Sequence, residues 1–185
     1  MTAPFIIMCA PNGARRQKTD HPNIPITPDE IARCTEEIIA AGASILHLHV
    51  RDAQGGHSLD VGRYRAAISA IRDVVDHDII IQATSEAVGK YSRPEQMAMV
   101  KELRPEAVSL SLRELIPDDT ALSDMVPFME WMAQEHIFPQ YILYDEADYQ
   151  RFEAYRKQGI FQTDQPFALF VLGSYMGNDQ DSSRL

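Results

Sequence analysis

Apolar and polar positions along the 185 residues follow a repeated order: a short apolar run, a turn, then a longer stretch with apolar residues three and four apart. The short runs are Phe5–Ala10, Ser44–Val50, Asp78–Ala83, Ala107–Leu112, Ile137–Tyr144 and Phe167–Leu172. Runs of this length, bounded by glycine, proline and asparagine, read as buried strands, and the longer stretches read as helices. The first helix has the clearest start. In Thr27-Pro28-Asp29-Glu30, Thr27 can cap the free amides, Pro28 suits the first helical position and Glu30 can close a capping box. Ile31, Cys34, Ile38 and Ala41 then share a stripe that Gly42 ends. A second helix from about Asp60 is expected to bury Tyr64, Ala67, Ile68, Ile71, Val74 and Val75. Pro94–Leu103 follows a Ser92…Glu95 box, and Thr120–His136 and Glu146–Gln158 complete the helices, the last ended by Gly159.

Six strands alternating with five helices imply βαβ units and a parallel sheet. Side-chain parity separates a barrel from an open sheet. Ile45, His47, His49 and Arg51 share one strand face; so do Gln82 and Thr84, and Ser109, Ser111 and Arg113. Polar groups on one parity, gathered toward strand ends, suit the inside of a (β/α)8 barrel of the TIM type better than an open sheet covered on both faces. A complete barrel takes roughly 250 residues. The chain is therefore expected to hold about six βα units, a partial barrel over residues 1–172, with a polar tail at 173–185 and the last units missing. Open barrel edges would favour self-association, so a homo-oligomer is expected.

Composition narrows the partners. The formal charge of −10 speaks against nonspecific nucleic-acid binding. No apolar run approaches the ~20 residues of a membrane span. The N-terminal residues lack a basic leader, and the two cysteines, Cys9 and Cys34, form no Cys-x-x-Cys pair, so a reducing cytoplasm is expected. Cys9 and Cys34 read as core fillers.

Candidate chemistry centres on Leu46-His47-Leu48-His49-Val50-Arg51-Asp52. Histidines at i and i+2 on a strand point the same way, roughly 7 Å apart at their bases. They can converge on one metal, or be two buried histidines with local partners; two ligands fall short of the three a catalytic zinc usually takes. Arg51 and Asp52 read either as an anion-binding arginine and a carboxylate that fixes an imidazole tautomer, or as a structural ion pair at the loop mouth. Asn12-Gly13-Ala14-Arg15-Arg16 offers amides and cations to a carboxylate or coenzyme phosphate, or is a solvated loop. Thr84 and Ser85, Ser109 and Ser111, and Arg113 with Glu114 could line a substrate pocket or serve local turn bonding. His21, His57, His77 and His136 fall in loops or at helix ends and receive no chemistry.

The segments APNGARR…PNIPITPDEIA, AGASILHLHVRDAQGG, IIIQATSEAVG and IFPQYILYDEADY resemble the β-keto acid cleavage enzymes over about residues 5–172. The resemblance implies a barrel holding one divalent metal, usually zinc. It also implies a reaction of a β-keto acid with acetyl-CoA as co-substrate, giving acetoacetate and a new acyl-CoA. It makes His47 and His49 metal ligands and Thr84, Ser85, Ser109 and Ser111 substrate-pocket residues, with Asn12 and Arg15 on the neighbouring loop. The third metal ligand, a glutamate, and the proton-transfer groups are expected on strands this chain lacks, so no catalytic residue is named. Arg15 stands where aminohexanoate-cleaving relatives carry a glutamate, which implies an anionic or neutral keto acid and not an amino-bearing one. Thr84-Ser85-Glu86 stands where many relatives have a glycine pair. An amidohydrolase-type metal hydrolase also uses His-x-His, but its further histidines have no counterpart in IFPQYILYD or FALFVL. An inactive, truncated barrel fragment is the other alternative.

Overall fold

The structure, a computed structural model, describes residues 5–172. The expected polar tail at 173–185 lies outside them. The chain forms two compact units, residues 1–108 and 109–185.

In the first unit the elements are β1 (Met8–Cys9), α1 (Pro28–Ala40), β2 (Ile45–Leu48), β3 (Val50–Arg51), β4 (His57–Ser58), α2 (Val61–Val74), β5 (Ile80–Thr84) and α3 (Arg93–Leu103). Strands β1, β2 and β5 pair in parallel, with Met8 opposite Ile45 and His47 opposite Gln82. That register sets the site, because residues opposite one another on neighbouring strands share a face. Leu46, Leu48, Ile81 and Ala83 take the other parity and pack into a core with Ile31, Tyr64 and Ile71. α1 and α2 lie side by side.

Helix starts follow their residues closely. Thr27 Oγ1 accepts the Glu30 amide at 3.3 Å, and the Glu30 carboxylate accepts the Thr27 and Ile26 amides at 3.1 and 2.9 Å. Asp60 caps α2 by accepting the Arg63 amide at 2.8 Å. At α3, Glu95 reaches back to the Ser92 amide and hydroxyl.

Several boundaries differ from expectation. Residues 5–7 are exposed and irregular, so the first strand shrinks to Met8–Cys9. The α1 stripe ends earlier than Ala41, which is exposed; its buried residues are Ile31, Ala32 and Thr35. Val74, at the end of α2, is 45% exposed because the helix stops there and turns away. The second strand also breaks at His49. Val50–Arg51 instead pairs antiparallel with His57–Ser58, closing a hairpin over Gly55-Gly56. Gly55 has φ +79°, a backbone conformation that favours glycine.

The strand β6 (Ala107–Ser111) runs through the junction of the two units. In the second unit follow α4 (Leu112–Leu115), a 3-10 turn at Asp119–Ala121, α5 (Leu122–Gln134), β7 (Phe138–Leu143), α6 (Glu146–Lys157) and β8 (Phe167–Phe170). β7 and β8 pair in parallel, with Tyr141 opposite Ala168. Leu112 thus belongs to a short helix and not to the fourth strand, and the helix expected from Thr120 begins as a 3-10 turn. Met125, Phe128, Met129, Met132, Tyr141, Phe152 and Phe161 form this unit's core. Apart from the antiparallel β3–β4 hairpin, strand and helix alternate along the described residues and the strands pair in parallel within each unit. Among the described residues no helix is long and apolar enough to cross a membrane.

Candidate active site

The polar parity of β2 and β5 builds the site in the first unit. His47 Nδ1 lies 2.7 Å from Gln82 Oε1, its partner in register. His47 Nε2 lies 3.1 Å from His49 Nε2, and the two rings meet edge to face at 4.9 Å. Both imidazoles are buried. Since amide oxygens only accept, Gln82 assigns the proton of neutral His47 to Nδ1, which turns its Nε2 lone pair toward His49. Burial lowers the pKa of His47 below its usual value, with the Gln82 bond opposing. His49 falls well below, through burial first and then the charges of His47, His57 and Arg51. Both are therefore neutral at physiological pH.

The expected Arg51–Asp52 roles resolve differently. Arg51 is buried and donates to the carbonyls of Asn12, Gly13, Arg16 and Gly55 at 2.8–3.1 Å. Its guanidinium fork is spent on backbone, so it clamps the residue 12–16 loop to the hairpin and is not presented to an anion. Asp52 accepts the Gly56 and Gln54 amides at 2.8 and 3.0 Å, with Lys90 Nζ at 3.6 Å. It organises the hairpin turn, and the bond that fixes the His47 tautomer comes from Gln82 instead.

Of the substrate candidates, Asn12 is buried; its amide donates to the His49 carbonyl at 2.8 Å, and its Oδ1 has no hydrogen-bond partner among the described residues. Thr84 Oγ1 accepts the Glu86 amide at 3.1 Å, the local turn bonding that hydroxyls favour, while the Thr84 carbonyl accepts the Tyr64 hydroxyl. Ser85 is fully buried. Arg15 is exposed, and its charge reaches Glu86. Ser109 and Ser111 are buried on the second unit's part of β6, and Ser111 Oγ has no partner among the described residues. Arg113 is committed to Asp148 and Asp145 at 2.6–2.8 Å, a structural network that Arg151 completes.

Two residues left without a role in the sequence belong to the site. His57 is buried with its ring 5.5 Å from that of His49, and its Nε2 donates to the Glu86 carbonyl at 2.7 Å. The Glu86 carboxylate stands 3.9 Å from His49 Nδ1, an atom that is buried and has no hydrogen-bond partner among the described residues. Burial raises the Glu86 pKa and the Arg15 charge opposes the rise. With His49 neutral, this is a close approach and not an ion pair. His57 was legible in principle: Gly55-Gly56 between Val50-Arg51 and His57-Ser58 is a hairpin signal. Among the described residues no group of three or more His, Cys, Asp or Glu side chains is arranged to hold a metal. The two convergent Nε2 atoms nevertheless fit one. Nitrogens about 2.0–2.1 Å from a tetrahedral ion stand roughly 3.3 Å apart, close to what His47 and His49 present.

The model of the beta-keto acid cleavage enzyme family matches residues 4–185. The chain belongs to that family. Similar members include the 3-keto-5-aminohexanoate cleavage enzymes of Fusobacterium nucleatum subsp. nucleatum, 32% identical over 184 residues, and of Acetoanaerobium sticklandii, 29% identical over 176. These alignments cover 95% and 91% of this chain but 65% and 63% of the relatives, so the chain spans a little under two thirds of their length. A 3-oxoadipate:acetyl-CoA acetyltransferase of Cupriavidus necator is 29% identical over 135 residues, covering 73% of this chain and 46% of that protein.

Proposed function

We propose that the protein is a zinc-dependent acyltransferase that condenses a β-keto acid with acetyl-CoA and releases acetoacetate and a new acyl-CoA. The observation that carries the reading is the pair of buried, neutral imidazoles whose Nε2 atoms face each other at 3.1 Å in a member of this family. His47 and His49 would hold the ion, with Gln82 keeping the His47 Nε2 lone pair directed at it. When bound, zinc supplies Lewis acidity toward the oxygens of a keto acid.

The chain's own residues do the rest of the positioning. Arg51 holds the loop that carries Asn12 and Arg15. Asn12 Oδ1, unpaired in the buried interior, is available to a donor on the substrate. Thr84, Ser85, Ser109 and Ser111 are the further candidates for substrate contact. Relatives carry names for amino-bearing and for dicarboxylic keto acids. The exposed Arg15 would repel an ammonium group, which favours an anionic or neutral keto acid, although Glu86 partly offsets that charge. The metal-hydrolase alternative has no further support: β7 and β8 bring no histidine.

Metal analysis with zinc titration, followed by a coupled acetyl-CoA assay across a keto-acid panel, tests the reading. Retained zinc binding in His47→Ala and His49→Ala would make the pair structural. Best turnover on 3-keto-5-aminohexanoate would overturn the substrate assignment.

A further inference from the structure

Among the described residues no side chain or amide donates a hydrogen bond to the Glu86 carboxylate; its close neighbour is His49 Nδ1 at 3.9 Å, and the Arg15 charge acts from farther off. Yet its backbone is fixed on both sides. Thr84 Oγ1 accepts its amide at 3.1 Å and the buried His57 donates to its carbonyl at 2.7 Å. The turn that follows is fixed as well: the Lys90 and Tyr91 amides both bond the Ala87 carbonyl, and Lys90 Nζ bonds the His57 carbonyl at 3.0 Å. Val88 within it takes φ +53°, a conformation that β-branched residues avoid and that only surrounding structure can impose. A half-buried carboxylate is thus held at one spot beside an orphaned imidazole nitrogen.

The tautomers that the hydrogen-bond partners imply are consistent with the 3.9 Å gap. Gln82 assigns the His47 proton to Nδ1, so the His47 Nε2 lone pair can pair with His49 only if His49 donates from its own Nε2. The neutral ring then carries a lone pair at Nδ1. A carboxylate and a lone pair cannot bond, and they stand apart. A metal reverses this arrangement. To coordinate through Nε2, His49 must give up that proton to solvent and take one at Nδ1, a change of tautomer with no change of charge. The new Nδ1–H is buried and needs an acceptor, and among the described residues Glu86 is the carboxylate that faces it.

We infer that Glu86 is a positioning residue, the outer carboxylate that accepts the His49 Nδ1–H once His49 turns Nε2 to a metal, so that metal binding and the His49 tautomer are coupled. The inference rests on the reading of His47 and His49 as a metal pair. Outer carboxylates of this kind orient the ring and raise its basicity, and losing one typically weakens metal affinity about 10–100-fold.

The test follows zinc affinity together with the imidazole nitrogens by 15N NMR, using the full chain at pH 8. In the parent, His49 should carry its proton on Nε2 without metal and on Nδ1, hydrogen-bonded, with zinc. Glu86→Ala should bind zinc about 10–100-fold more weakly, and Glu86→Gln, which keeps an acceptor oxygen, should recover a large part of that loss. If Glu86 is merely structural, Glu86→Ala would leave the zinc-bound His49 nitrogen signals where they stand in the parent. Zinc affinity in Glu86→Ala equal to the parent's would overturn this inference alone. A parent that binds no zinc through His47 and His49 would overturn the metal reading and this inference with it.

Discussion

Arg51 shows how much one side chain can settle. As sequence it had two readings, and in the structure its guanidinium is saturated by four backbone carbonyls that no motif names. Lysine has three donors on a single point and cannot reproduce a planar fork. Arg51→Lys is therefore expected to cost about 2 kcal/mol or more, at roughly 1 kcal/mol per net hydrogen bond lost, and to expose the residue 12–16 loop to protease. Urea unfolding and limited proteolysis check both. Val88 carries the opposite expectation. Its φ of +53° costs a non-glycine residue about 1–2 kcal/mol, while glycine brings back some unfolded-state entropy. Val88→Gly should thus stabilise by up to about 1 kcal/mol, measured as a raised urea midpoint. A loss of stability would show that the apolar packing of Val88 outweighs its strain. That His47 and His49 turn their rings to the same side was legible from their i, i+2 spacing, while their role as ligands was not. Glu86 and Gln82 were not given site roles, because an acceptor's role depends on which strand lies opposite, and that is a property of register and not of local sequence.

Element starts were far more legible than element ends. A capping box is chemistry within four residues, so Thr27…Glu30 and Ser92…Glu95 could be read directly, and both carboxylates do reach back. Ends depend on where the packing partner stops, which is why Val74 and Ala41 emerge exposed. Thr27→Ala should cost about 1 kcal/mol through loss of the cap. Glu30 adds a pH signature. The Lys18 hydrogen bond, then the Ile26 and Thr27 amides, lower its pKa from 4.5 to about 2. A depressed folded-state pKa gives stability that is fully present above the unfolded value and is lost as pH falls through the folded one. The Glu30 contribution should hold above pH 4.5 and fade between there and about 2. Urea midpoints across that window should fall less steeply in Glu30→Gln than in the parent; equal slopes would show that Glu30 keeps its interactions in the unfolded chain.

At the scale of the molecule, alternating strand and helix with parallel pairing followed from hydrophobic periodicity, because both features arise from local pattern plus the handed, short connections that βαβ units require. The hairpin at β3–β4 escaped that reading, since its two-residue strands are too short to show a period. Yet it brings His57 to His49 and so decides the chemistry of the interior. Placing two imidazoles with depressed pKa values in that interior has a thermodynamic consequence for the whole chain. Without metal, burial depresses both pKa values from 6.5, so the unfolded state binds protons first and stability should decline as pH falls below 6.5. On the proposed reading zinc would bind the folded pair and add RT ln(1 + [Zn]/Kd), about 2.7 kcal/mol at a hundredfold excess over Kd. For a chain of this length that raises the thermal midpoint by roughly 5–10 °C. Because protons compete for the imidazoles only below their depressed pKa values, the zinc-induced rise should fade at a lower pH than it would for imidazoles titrating at the ordinary 6.5. Thermal unfolding with zinc and with chelator, at pH 8 and pH 6, should show it in the parent and not in His47→Ala. A rise of equal size in His47→Ala would place the stabilising ion elsewhere in the chain.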